Sequence, residues 1–222
     1  MAFIILILIA FGWLYLTQNA EVNRLCKGKT EEQKKVIKYR HGGCLCFGKM
    51  TDAEYDQLVI KTMEGLNLKR KALNKIGLDE DELREIEPVF FHGYSKDNTF
   101  IGSDDLLRST WYETAWLFFS DTQVYMYTYR WDMESDSKRE SSEEYFYKDI
   151  TNFSSSAETI ETFRIKTGCN GKEKSREKVN REFSQFGLVV PGDKFYCSTS
   201  GVKNADSSVS AMKQKLREKK NN

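Results

Sequence analysis

Cysteine and histidine are the side chains best equipped for chemistry here, and the chain carries five of the first and two of the second. Cys44 and Cys46 stand one residue apart, with His41 nearby. A structural zinc site needs paired ligands at least two residues apart and a second pair further along. No second Cys/His pair follows, so this spacing builds no metal site. Cys26, Cys169 and Cys197 are scattered, and an odd total closes no disulfide framework. The expectation is free thiols in a reducing compartment. His92 ends the apolar run Val89-Phe90-Phe91 and is expected as a structural or exposed residue. The sequence holds no glycine-rich phosphate loop, no His-Glu-x-x-His helix and no Gly-x-Ser-x-Gly elbow. What remains is isolated carboxylates and thiols. The expectation is no enzyme, with no catalytic residue, no cofactor and no metal.

Charge placement says more. The formal net charge is only +1, so no global attraction to nucleic acid is expected. Ala2 to Thr17 contains no charged side chain. As a helix this stretch reaches roughly 24 Å, just short of a hydrocarbon core of about 30 Å. Trp13 and Tyr15 fall where an interfacial aromatic belt lies. A cleaved signal peptide is the rival reading, and it would leave a secreted β-domain. That reading lacks a basic start, and its best cleavage point, after Gln18-Asn19-Ala20, puts glutamine at the −3 position. An uncleaved single-pass anchor over residues 1–17 is therefore expected.

A run of cations follows the apolar stretch. Arg24, Lys27, Lys29, Lys34, Lys35, Lys38 and Arg40 place the bulk of the chain in the cytoplasm by the positive-inside rule. Arg24, Lys27, Lys29, Lys34 and Lys35 are the candidate membrane-surface contacts, each worth about 1 kcal/mol near anionic headgroups. Residues 18–50 read as a basic juxtamembrane linker. Within it, Thr30-Glu31-Glu32-Gln33 is a capping box that starts a short helix ending by Gly42-Gly43.

Residues 51–86 read as a helical segment. Thr51-Asp52-Ala53-Glu54 is a second capping box. Tyr55, Leu58, Val59, Thr62, Met63 and Leu66 then recur at helical spacing. That stripe is expected to pack on the β-region or on another copy of the chain. Asp79 and Glu82 mark a further helical turn before Pro88.

From residue 87 to 220 the pattern changes to strands. Thr114 to Phe119, a turn at Ser120-Asp121, and a second strand form the centre. Val124, Met126, Thr128 and Arg130 share one face of that second strand; Tyr125, Tyr127, Tyr129 and Trp131 share the other. Asp132 to Ser142 and Ser95 to Ser109 are expected as polar loops. Thr159 to Thr167 alternates as a strand. Glu173 to Phe186 places Val179, Phe183 and Phe186 at helical spacing, which predicts an inserted helix. Lys194 to Ser198 is the last strand. Asn204 to Lys220 predicts a closing helix with Val209, Met212 and Leu216 on its inner face. A chain cut to Glu87–Lys220 is expected to fold alone, and one stopped at Asn204 is not.

Hairpins followed by one C-terminal helix resemble the pleckstrin-homology-like fold, and bacterial PH-like and GRAM-type domains more closely. Leu117 to Tyr125 is similar to their strand, turn and strand. Tyr147-Lys148-Asp149-Ile150-Thr151-Asn152-Phe153 is similar to their aromatic-x-Asp-Ile step. The resemblance spans roughly Glu87 to Leu216 and carries no catalytic residue. It implies an α+β fold: a bent antiparallel sheet or partly open barrel closed by a C-terminal helix. A transmembrane helix and a helical linker precede it. The expected role is a membrane-tethered, non-enzymatic interaction or scaffold module that binds a protein partner. The alternative is a reader of lipid headgroups on an anionic membrane. It is disfavoured because aspartates outnumber cations in Ser95 to Ser109, the first hairpin loop.

Overall fold

A computed structural model describes residues 22–42, 49–77, 87–167 and 173–221, together with Gly12 and Ala20. The expected anchor over residues 1–17, the Cys44-Cys46 pair and the turn at Asp79 to Glu82 lie outside these residues. Among the described residues, no helix is long and apolar enough to cross a membrane.

The architecture is α+β, with antiparallel sheets and a C-terminal helix. After a helical stretch at residues 22–26, the described residues form α1 (Glu31–His41), α2 (Asp52–Gly65) and α3 (Leu68–Ile76). Thr30 and Thr51 each cap a helix through a complete capping box, as their sequences predict. Nine strands follow among the described residues. β1 (Val89–Tyr94), β4 (Trp111–Phe119), β5 (Gln123–Asp132) and β6 (Lys138–Phe146) form a four-stranded sheet in the order β1-β4-β5-β6. β2 (Thr99–Ile101) and β3 (Leu107–Ser109) pair as a small hairpin. β7 (Asn152–Thr167), β8 (Glu173–Val190) and β9 (Asp193–Ser198) make a three-stranded sheet. α4 (Ala205–Asn221) closes the chain.

The alternation in β4 and β5 feeds two cores, because successive side chains leave a strand on opposite faces. Leu117, Phe119, Val124 and Met126 point between the two large sheets. There they meet Phe91, Phe153, Phe186 and Leu188, and α4 adds Val209, Met212 and Leu216. Phe118, Tyr125, Tyr127, Tyr129 and Trp131 point the other way, into a core shared with Tyr39 of α1, Tyr55 and Val59 of α2, and Ala72 of α3. The helical stripe read from the sequence thus packs on the sheet. Tyr55 is fully buried, stacks on Tyr39 at 4.9 Å and donates its hydroxyl to the Ser109 carbonyl.

Three local expectations are corrected. Glu173 to Phe186 is strand, not helix: β8 pairs with β7 from Asn152↔Val189 onward. Its spacing of Val179, Phe183 and Phe186 fits the helical period and puts Phe186 on the opposite strand face from the other two; pairing along the whole length of the neighbouring strand overrides it. Ser95 to Ser109 is not all loop, since β2 and β3 lie within it. Asp, Asn and Gly turn residues dominate that stretch and hide the short pair. Asp132 to Ser142 is also shorter as a loop than its polarity implies, because β6 begins at Lys138. β6 is polar because it is an edge strand, exposed along most of its length.

Both ends of the large sheet are edges, and they are treated differently. At β1, Gly201 N–H donates to the His92 carbonyl and Ser200 Oγ accepts from Tyr94 N–H, so the segment after β9 covers the strand. This approach requires Gly93. A Cβ there would overlap the Ser198 and Ser200 hydroxyls and lie 2.9 Å from the Ser200 nitrogen.

Candidate functional site

Two clusters of charged side chains stand out, and their chemistry differs. The first surrounds Arg108, whose side chain is 2% exposed. Its Nε and Nη2 donate to the two Asp56 oxygens at 2.8 and 2.7 Å, and Nη1 and Nη2 to the two Asp104 oxygens at 2.7 Å each. This double fork ties α2 to the β2–β3 hairpin. Asp52 extends it, accepting from Tyr39 Oη at 2.5 Å and from the Ser103 and Asp104 N–H groups. Tyr94 Oη donates to Asp56 at 2.5 Å. Every guanidinium fork is engaged, so this is a clamp between elements.

The second cluster lines a cleft of about 410 Å³ between the four-stranded sheet and β9, beyond the apolar part of the inter-sheet core. Strand register builds it. Glu113, Arg130 and Arg139 sit opposite one another on β4, β5 and β6, and Thr128 and Ser141 form the next rung inward. Thr128 and Ser141 bond through their hydroxyls at 2.7 Å. Phe195, Tyr196 and Cys197 of β9 close the far wall. Glu113 accepts from the Ser198 N–H at 2.7 Å. Burial still pushes its carboxyl above the usual range. Arg130 stacks 4.6 Å above Trp111 and reaches Asp97 at 2.5 Å through Nη2. Its buried Nε has no hydrogen-bond partner among the described residues.

The cleft falls in the volume range of small-ligand sites. Its polar groups are suited to binding. The Arg130 guanidinium can take a carboxylate or another planar anion. The Cys197 thiol is a poor nucleophile, because burial pushes it well above its ordinary value. His92 lies elsewhere, with Nδ1 2.7 Å from Tyr112 Oη, and burial lowers its basicity.

The sequence-predicted surface cations fall on one N-terminal unit. Arg24 and Lys27 are exposed beside Val22 and Cys26, which pack on Ile37 of α1. Lys29 is half-buried, Lys35 exposed, and Lys34 pairs with Glu31 at 2.7 Å. That unit is docked: Arg40 reaches Glu134 at 3.1 Å and Gln33 reaches Asp136 at 2.8 Å, both in the β5–β6 turn. The structure places none of these predicted cations in the cleft.

The reading from sequence did not single out Glu113, and placed Arg130 only by its face. The available signal was a charge continuing the alternation of an apolar face: Arg130 after Val124, Met126 and Thr128. Cys197 and Phe195 could not have been joined to them without the sheet pairing. Among known proteins, no protein-family model, no curated protein and no solved structure matches this chain.

Proposed function

We propose that this chain is a membrane-tethered, non-enzymatic PH-like interaction module whose bulk faces the cytoplasm and binds a protein partner. The observation that carries the reading is the uncharged stretch Ala2 to Thr17 followed, beyond Glu21, by Arg24, Lys27, Lys29, Lys34 and Lys35. An apolar run flanked on one side by cations inserts with those cations inside. Two structural features support it. The basic helix α1 packs on the sheet through Val36 and Tyr39, so a tether at residues 1–17 would hold the β-region close to the bilayer. Antiparallel sheets whose shared core is completed by the C-terminal helix α4 are compatible with the PH-like resemblance, which implies a bent antiparallel sheet or partly open barrel closed by such a helix. The cleft offers Arg130 to an acidic side chain of the partner.

The test is extraction and sidedness of the full chain. It should remain in the membrane fraction after alkaline carbonate washing, keep its N-terminal methionine end, and resist protease added from outside intact cells. A soluble mature form starting near Ala20 or Glu21 would overturn the tether.

A further inference from the structure

We propose that β6 is a self-association edge, through which two copies of this chain join their four-stranded sheets into one continuous sheet. The inference does not rest on the tether; residues it uses, among them Arg139 and Ser141, also line the cleft.

The argument starts from which backbone groups of β6 are free to pair. At the two ends of the β5–β6 pairing, Asp132 N–H donates to the Ser137 carbonyl and Tyr147 N–H to the Thr122 carbonyl. In an antiparallel ladder, hydrogen-bonded positions alternate. With this register, odd-numbered residues of β6 bond to β5. The N–H and C=O groups of Lys138, Glu140, Ser142 and Glu144 therefore point outward. β6 is the last strand of the sheet order, and most of its residues are exposed. The opposite edge, β1, is covered by Ser200 and Gly201.

An exposed edge is commonly guarded by charge. Here the charges are ordered, and the order selects the partner. β6 reads Lys-Arg-Glu-Ser-Ser-Glu-Glu from residue 138 to residue 144. A second copy running antiparallel, with the two-fold axis at Ser141, sets Lys138 opposite Glu144 and Arg139 opposite Glu143. Glu140 then faces Ser142, and Ser141 faces its own mate. Every cation meets a carboxylate and no like charges oppose. This register also pairs outward-facing residues with outward-facing residues, as the ladder requires. Shifting the axis to Ser142 sets Glu140 against Glu144; shifting it to Glu140 or Glu143 sets that glutamate against its own copy. Only the Ser141 register is free of repulsion. Neither Lys138 nor Arg139 has an ion-pair partner among the described residues, so both are available.

Cross-linking and charge exchange test this on the full chain in non-ionic detergent. Opposed residues in a non-hydrogen-bonded pair have Cα atoms about 4.5 Å apart, within disulfide reach. Mild oxidation with copper-phenanthroline should convert Ser141→Cys into a reducible dimer. Ser142→Cys and the parent chain, with its native cysteines, should form no covalent dimer under the same conditions, although the parent should scatter light as a dimer. Light scattering supplies the second arm. Lys138→Glu/Arg139→Glu alone and Glu143→Lys/Glu144→Lys alone should each be monomeric, because the 138–144 and 139–143 rungs all become repulsive. Mixed together, they should form a one-to-one heterodimer, since the 138–144 and 139–143 rungs become complementary again. Equal cross-linking of Ser141→Cys and Ser142→Cys would overturn the proposal. So would a parent chain that is monomeric throughout, or a mixture of the two charge variants that fails to pair.

Discussion

Arg108 shows how far a single residue can hide in a sequence. Read along the chain, it is one cation in a polar stretch beside Asp97, Asp104 and Asp105. In the fold it is the largest fully buried side chain, held by Asp56 from another element and Asp104 from its own hairpin. Nothing local announces that an aspartate on a helix fifty residues earlier completes the fork. Removing one partner of a buried pair costs about 3–5 kcal/mol. Arg108→Leu is expected near the low end, because Asp56 and Asp104 are 41% and 39% exposed and can rehydrate. Chemical denaturation at neutral pH measures this. The same pair sets a pH dependence. Hydrogen bonding from Arg108 holds the Asp104 carboxyl down at about 2. Asp52 is also lowered, its hydrogen bonds from Ser103 and Tyr39 outweighing burial. A depressed folded value gives stability that is full above the ordinary aspartate value of about 3.9. It is lost as pH falls towards the folded value. The gap between parent and Arg108→Leu should therefore be constant from pH 7 to about 4 and shrink as pH falls to about 2. A gap unchanged over that window would show that the fork carries no charge linkage.

At the scale of elements, legibility followed burial contrast. β5 was readable because its two faces differ, aliphatic on one and aromatic on the other. Both capping boxes were readable because helix starts are local chemistry. β8 was misread because its apolar residues satisfy the helical period, while the information that makes it a strand resides in β7. The first part of β6, Lys138 to Ser142, reads as loop because an exposed edge need not alternate. The aromatic face supports a graded expectation. Phe118 and Tyr127 are fully buried, and truncation to alanine should cost about 3–5 kcal/mol each. Trp116 is half-buried, stacked 4.4 Å from Phe90 and 5.9 Å from Phe118, and its indole nitrogen has no partner among the described residues. Trp116→Ala should cost less than either. Urea melts of the three variants rank them, and a Trp116 variant weaker than both others would refute the two-core assignment.

For the whole molecule, the sequence suggested a β-region that needs only its C-terminal helix. The structure makes the dependence two-sided. α4 fills the gap between the sheets with Val209, Met212 and Leu216, and α1 to α3 cover the aromatic face from the other side. Burying each of the three α4 side chains is worth roughly 1.5–3 kcal/mol. Their sum approaches the whole stability of a typical domain, about 5–15 kcal/mol. The opposite face carries Phe118, Tyr125, Tyr127, Tyr129 and Trp131, an even larger apolar surface to leave in water. It also loses the Asp56 half of the Arg108 fork when the helices are removed. Three shortened chains separate these contributions by thermal unfolding: Val22 to Asn221, Glu87 to Asn221, and Val22 to Asn204. The first should melt in one cooperative transition. The second should lack that transition and aggregate through its uncovered aromatic face, contrary to the expectation from sequence that residues from Glu87 onward suffice. The third should also fail, because the inter-sheet core loses its plug. Stopping instead at Leu216 should change little, since the residues beyond it, Arg217 to Lys220, add no side chain to that core. If Glu87 to Asn221 melts at the same temperature as Val22 to Asn221, the helical layer is an appendage and the aromatic face is stable without it.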